Sequence, residues 1–201
     1  CIRDRPITII CPASAGGSTD LSLRVLAKIV GDELGQPMVV QDKPGGGSII
    51  GLALVANAKP DGYTIGATVT GPATIAQHLR DIPFDPLEDF EYIMQYGYYK
   101  SAVVVRSDSP IHTFKEFIEH CRKNPKTLVG MNGSVGMPQH LVLERVKRIE
   151  GVEWEWQPYG GGAAAMTALL GGHVDAAAPG SEFANFVRDG SVRPLVLLCE
   201  K

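Results

Sequence analysis

Apolar positions along the chain repeat now every second residue, now at helical spacing, and glycine or proline marks each change of period. Ile7 to Cys11 is a short apolar run that ends at Pro12, and Leu21, Val25, Leu26, Ile29, Val30 and Leu34 then recur at helical spacing until Gly35 and Pro37. This predicts a strand followed by a helix. Met38 to Val40 reads as the next strand, Pro44-Gly-Gly-Gly-Ser48 as a turn, and Ile50, Leu52, Leu54 and Val55 as a helix that stops before Pro60-Asp-Gly62. Tyr63 to Val69 is a predicted third strand. The order β-α-β-α-β favours a parallel sheet with right-handed crossovers. Thr70-Gly-Pro72 then opens a helix through about Leu79, Pro83-Phe-Asp-Pro86 is a turn, and Phe90 to Tyr98 and Ala102 to Val105 are predicted strands.

Near Tyr99 to Ser101 the pattern restarts. It predicts a helix from Thr113 to Lys123, a strand from Leu128 to Met131, a helix from Gln139 to Ile149 and a strand from Trp154 to Gln157. Tyr159-Gly-Gly-Gly162 leads into a helix from Ala163 to Leu170, then a short strand around Val174 to Ala178, the loop Pro179-Gly-Ser181, a helix from Glu182 to Arg188 and a strand from Pro194 to Leu198. The predicted division is a first α/β lobe over 1–99, a second over 100–195, and in 196–201 the start of a crossover back to the first.

Two strand–loop–helix units share one design. The first carries Pro12-Ala-Ser-Ala-Gly-Gly-Ser-Thr-Asp20, the second Asn132-Gly-Ser-Val-Gly-Met-Pro-Gln-His140, and both loops are poor in side chain and rich in backbone N–H. A strand that feeds such a loop into a helix leaves unpaired donors at the helix N-terminus, where the helix dipole adds partial positive charge. That arrangement suits an anion, and two such mouths suggest a ligand gripped between two lobes. The competing reading of either loop alone is an ordinary connection whose glycines only satisfy turn geometry.

Composition narrows the function. With 201 residues and 44% hydrophobic content the chain can build real cores. Its net charge of −3, from 19 basic and 22 acidic residues, is gathered into no long run, so no nucleic-acid partner is expected. No stretch approaches the roughly 18 to 20 consecutive apolar residues of a membrane span, and no signal-peptide pattern opens the sequence. Cys1, Cys11, Cys121 and Cys199 show no C-x-x-C spacing and no grouping with histidines that would suggest zinc, so no metal or cofactor is expected. Cys11 and Cys199 read as buried strand thiols. Cys1 admits two readings, an acylated lipoprotein residue or one that merely stands first, and the second is preferred.

Seven short segments resemble, in order, the substrate-binding proteins of tripartite tricarboxylate transporters, also called Bug-type receptors. They are Arg5-Pro-Ile-Thr8, Ala15-Gly-Gly-Ser-Thr-Asp20, Glu33-Leu-Gly-Gln-Pro37, Lys43-Pro-Gly-Gly-Gly47, Pro60-Asp-Gly-Tyr-Thr64, Phe84-Asp-Pro86 and Leu169-Leu-Gly-Gly-His-Val-Asp175. The resemblance implies a two-lobed fold of the type II periplasmic-binding-protein class with the ligand cleft between lobes, and a C-terminal return segment that this sequence does not show. It implies a periplasmic or extracytoplasmic monomer, lipid-anchored if Cys1 is acylated, that captures a small organic carboxylate and delivers it to membrane transporter subunits. Where many family members carry a lysine this chain has Gly160, and Pro179 stands near a common aspartate, so the lip should be less charged than usual.

The expected ligand contacts follow. In the first loop Ala13, Ser14, Ala15, Gly16, Gly17, Ser18 and Thr19 offer amides and hydroxyls, while Asp20 is expected to cap the following helix and to reach the ligand through that cap or a water. Thr70 and Gly71 complete the first-lobe wall. In the second lobe Gly133, Ser134, Val135 and Gly136 face the ligand, and His140 in the first helical turn is either a ligand contact or a packed neutral residue. Tyr159 would close over it, with Gly160 and Gly161 beneath and Pro179 at the lip. Backbone donors can hold a carboxylate without a buried cation.

Two other functions use the same residues. A ligand sensor that signals through a partner protein would have an identical site. A serine hydrolase is disfavoured, because G-x-S-x-G needs glycine where Asn132 stands, and His173 precedes Asp175. G-x-G-x-x-G and Walker spacings are absent from the glycine-rich segments.

Overall fold

A computed structural model describes residues 4–133 and 135–198. The chain divides into two compact units, Cys1–Tyr96 and Gly97–Lys201. The first holds β1 (Ile7–Cys11), α1 (Ser18–Leu34), β2 (Met38–Asp42), α2 (Ile49–Ala56) and β3 (Thr64–Gly66). Its three strands are parallel in the order β2-β1-β3. Because the chain moves from β1 to one edge and then past β1 to the other, right-handed crossovers set α1 and α2 on opposite faces. Ile9, Cys11, Leu23, Ala27 and Ala67 form its core.

A single close approach fixes α2. A Cβ at Gly51 would stand 2.8 Å from Pro12 Cβ and 2.9 Å from Lys43 O, so only glycine lets the helix lie on the end of the sheet. After β3 the predicted helix at 70–79 is present in irregular form, a π-helical turn at Gly71–Ile75 followed by a 3-10 turn at Ala76–His78. The strand predicted for 90–98 does not form. Ile93, Met94 and Tyr98 are 76%, 64% and 85% exposed, and the run pairs with no strand among the described residues. Alternating side chains make a strand only where a neighbour completes the ladder.

The second unit holds β4 (Ser101–Arg106), α3 (Phe114–Lys123), β5 (Leu128–Asn132), α4 (Pro138–Glu150), β6 (Glu155–Tyr159), α5 (Gly162–Leu170), β7 (Ala176–Ala178), α6 (Phe183–Arg188) and β8 (Val192–Leu198). Its sheet order is β6-β5-β7-β4-β8. β5 pairs parallel with both β6 and β7, whereas β4 runs antiparallel to β7 and to β8. Residues 196–198, expected to begin a crossover, thus pair with β4, and residues 199–201 lie outside the described residues together with Cys1 and Ser134.

Local chemistry starts and fastens these elements. Thr113 Oγ1 accepts from the Glu116 amide at 3.2 Å while a Glu116 carboxylate oxygen accepts from the His112 amide at 2.6 Å, a capping box that starts α3. Val103, Val105, Phe117, Val129, Leu143 and Trp154 pack on one side of the sheet, and Val104, Met166, Leu169 and Ala177 on the other. Burying side chains of this size contributes about 1.5–3 kcal/mol each. Among the described residues no helix is long and apolar enough to cross a membrane.

Candidate functional site

Each unit carries its strand–loop–helix mouth at the carboxyl end of parallel strands, where open α/β sheets place their ligands. In the first, β1 delivers 12–17 to the N-terminus of α1, with Gly17 at the cap position. Asp20 does not precede the helix as a cap. It lies in the first turn and reaches back, so that Oδ2 accepts from the Gly16 amide at 2.8 Å. The Gly17 amide donates to Ser14 O at 3.2 Å. The fold therefore uses the Gly16 and Gly17 amides itself.

The second mouth repeats this design with different side chains. β5 delivers 133–137 to α4, with Met137 at the cap position and Pro138 first in the helix. His140 occupies the position that Asp20 holds in α1, and its Nδ1 accepts from the Gly136 amide at 3.5 Å. Gly16 and Gly136 both have positive φ, 78° and 94°, a turn that L side chains rarely adopt. The Gly133 amide is also committed, to Tyr159 O at 3.0 Å, and the Gln139 side-chain amide donates to Asn132 O at 3.0 Å.

His140 is a packed residue. Its ring lies 5.3 Å from that of Trp156, and burial pushes its pKa below the ordinary histidine value, Glu144 and Lys147 contributing smaller opposed effects. A buried neutral imidazole suits an acceptor at a helix N-terminus. Trp156 Nε1 donates to Glu144 Oε1 at 2.6 Å, and Lys147 Nζ pairs with the same oxygen at 3.0 Å.

The other expected contacts divide between loop and scaffold. Gly71 is buried in the π-helical turn, whose Thr74 hydroxyl donates to Thr70 O at 2.7 Å. Tyr159 ends β6, and a Cβ at Gly130 would stand 3.4 Å from its ring, so this side chain leans on the sheet. Gly161 caps α5. Pro179 is fully buried, and its carbonyl accepts from Ser101 Oγ. Val135 is 63% exposed.

Two groupings were invisible in sequence. Cys11 Sγ and carboxylate oxygens of Asp20 and Asp42 lie within 4.8 Å of one another behind the first loop, a set of atoms that could hold a metal ion. A guanidinium stands there as the cation: Arg24 Nε is 2.6 Å from Asp20 Oδ1, and Nη2 is 3.0 Å from Asp42 Oδ2. Burial pushes the Cys11 thiol up to about 12, with Asp42 and Asp20 adding to it, so the thiol keeps its proton at neutral pH. The cluster ties the ends of β1 and β2 to α1 and fixes the first loop. The second grouping sets Glu182 beside Gly162 and Gly180 at the carboxyl ends of the second sheet. No spacing signal could have revealed either, because each joins residues brought together by crossovers.

Comparison with known proteins follows the same outline. Residues 22–201 match the family model of the tripartite tricarboxylate transporter family receptor. A UPF0065 protein in the gbd 5′ region of Cupriavidus necator is 38% identical over 198 residues, covering 98% of this chain and 60% of the relative. The chain thus spans 60% of that relative's length. Among solved structures, the R. palustris protein Rpa4515 with adipate superposes with a TM-score of 0.91 at 26% identity, over 98% of this chain and 67% of that one. The periplasmic binding protein BugD gives 0.84 at 30% identity, over 98% and 67%. The fold is that of the periplasmic binding proteins.

Proposed function

The chain belongs to the tripartite tricarboxylate transporter receptor family, and from that premise we propose that it is an extracytoplasmic solute receptor, not an enzyme, that captures a small organic carboxylate for delivery to a membrane transporter. One observation carries the proposal. Both units build the same mouth, a strand end, a glycine with positive φ and a helix N-terminus whose first turn is tied back to the loop. Such loops are held still before a ligand arrives, and preorganised donors lose little entropy on binding.

In the first loop the proposed contacts are the amides and hydroxyls of 13–19 apart from the Gly16 and Gly17 amides, which are already donated within the loop, with Thr70 and Gly71 beside them. In the second they are Ser134 and the Val135 amide, with Tyr159, Gly160 and Gly161 lining the wall. Asp20, His140 and Pro179 hold the loops in place. Adipate, bound by Rpa4515, supports a carboxylate as the ligand class.

A thermal-shift screen against mono-, di- and tricarboxylates tests this. Ligand at about a hundred times its dissociation constant should stabilise the native state by roughly 2.7 kcal/mol. A selective rise for one carboxylate class is expected, and a flat response from a protein that melts cooperatively would overturn the proposal. Ser134→Ala separates the hydrolase: the receptor reading expects no ester turnover in either form, and turnover lost with the fold retained would revive an enzyme.

A further inference from the structure

In the second unit the order β6-β5-β7 brings three loops together at the carboxyl ends of parallel strands: 133–137, 160–161 and 179–182. With Gly160 and Pro179 in place of charged residues, this rim was expected to carry little charge. The structure restores one from another position. Both Glu182 carboxylate oxygens lie against Gly162, the first residue of α5: a Cβ there would collide with Oε2 and stand 2.9 Å from Oε1. A Cβ at Gly180 would stand 2.7 Å from Oε2 and 3.2 Å from Asn132 Nδ2. Two glycines thus make room for one carboxylate at this helix N-terminus, on the rim where β5 and β7 end.

The placement has a chemical consequence. The partial positive charge of the α5 N-terminus is already met by the protein's own anion. A second carboxylate from a ligand would face a like charge at a partly buried site, where repulsion is screened less than in water. A ligand hydroxyl or ammonium would instead find an acceptor. A carboxylate has about four lone-pair sites, so Glu182 can accept from a ligand in addition to any bond within the chain.

We propose that Glu182 determines specificity in this receptor, selecting carboxylates that carry a hydroxyl or ammonium group at their far end over dicarboxylates of the same length. The assignment rests on the carboxylate-receptor reading and narrows its ligand class. Its sequence signal is slight, a glutamate three residues after Pro179.

Calorimetric titration of the chain and of Glu182→Gln tests it with two matched sets: butyrate, 4-hydroxybutyrate, 4-aminobutyrate and succinate, and the six-carbon series hexanoate, 6-hydroxyhexanoate, 6-aminohexanoate and adipate. In the better-fitting length, the wild-type chain is expected to bind the hydroxy or amino acid at least tenfold more tightly than the diacid. Glu182→Gln should shrink that ratio at least tenfold, through a gain for the diacid and a loss for the amino acid. A diacid that binds the wild-type chain as tightly as its hydroxy and amino analogues overturns the inference and leaves the receptor reading standing. So does an unchanged ratio in a folded Glu182→Gln. Should that variant fail to fold, the wild-type ratio alone decides. No saturable binding by any of the eight overturns the inference, and the receptor reading falls with it only if the wider screen of mono-, di- and tricarboxylates is also flat.

Discussion

Replacing Asp20 separates two roles that its position combines. The side chain is 3% exposed, with one oxygen accepting from the Gly16 amide at 2.8 Å and the other pairing with Arg24 Nε at 2.6 Å. Asp20→Ala leaves the Gly16 amide without its acceptor, at a cost of about 1–3 kcal/mol. It also removes an ion pair whose guanidinium is half exposed, for which solvent screening leaves about 0.2–1 kcal/mol. The alanine variant should therefore lose roughly 1–4 kcal/mol. Asp20→Asn keeps an acceptor oxygen and loses only the charge, so it should cost about 1 kcal/mol or less. Urea unfolding gives the two values, and hydrogen exchange at the Gly16 amide assigns them locally, since a chain of two units need not unfold in one step. Exchange at Gly16 should quicken at least tenfold in the alanine variant. Equal losses for the two variants, or a Gly16 amide that stays as protected in Asp20→Ala as in the parent, would refute the claim that Asp20 holds the loop.

Three further outcomes follow from the packing. His140 has a folded pKa below its unfolded value of about 6.5, so its contribution is fully present above that pH and is lost as pH falls toward the folded value. The urea midpoint of the second unit should drop more between pH 7.5 and 5 for the parent than for His140→Gln, and equal drops would contradict this. Burial pushes the Cys121 thiol up to about 11, as it pushes Cys11 to about 12, so iodoacetamide at pH 8 should leave both unmodified in peptide mass spectra until urea is added. Gly51→Ala drives a methyl into Pro12 and Lys43 O and should destabilise the first unit by about 1–3 kcal/mol, read from its urea midpoint.

What could be read from the sequence was whatever local pattern decides. Helical spacing placed α1 but not its buried face: Leu21, Val25 and Ile29 of the expected stripe are exposed, while Leu23 and Ala27 face the core. β1, β2, β4 and β5 fall where short apolar runs end at turn residues. The run 90–98 misled because alternation reports a propensity, while a strand exists only with a partner. The antiparallel sense of β4 against β7 was likewise out of reach, since it depends on which strand the chain returns beside. The site divides in the same way. Glycine-rich loops before helices were visible, whereas the use of Gly16, Gly17, Gly133 and Gly136 amides by the chain itself was not. Nor was the Arg24 bridge between Asp20 and Asp42, nor the carboxylate of Glu182 over Gly162.

The most direct test of the receptor is amide chemical-shift mapping of the 15N-labelled chain titrated with the carboxylate that stabilises it most. The account predicts saturable shifts with one common dissociation constant, largest at 13–19 and 133–140 and including Ala15, Thr19 and Val135. Shifts confined to other surfaces, or none that saturate, would contradict it.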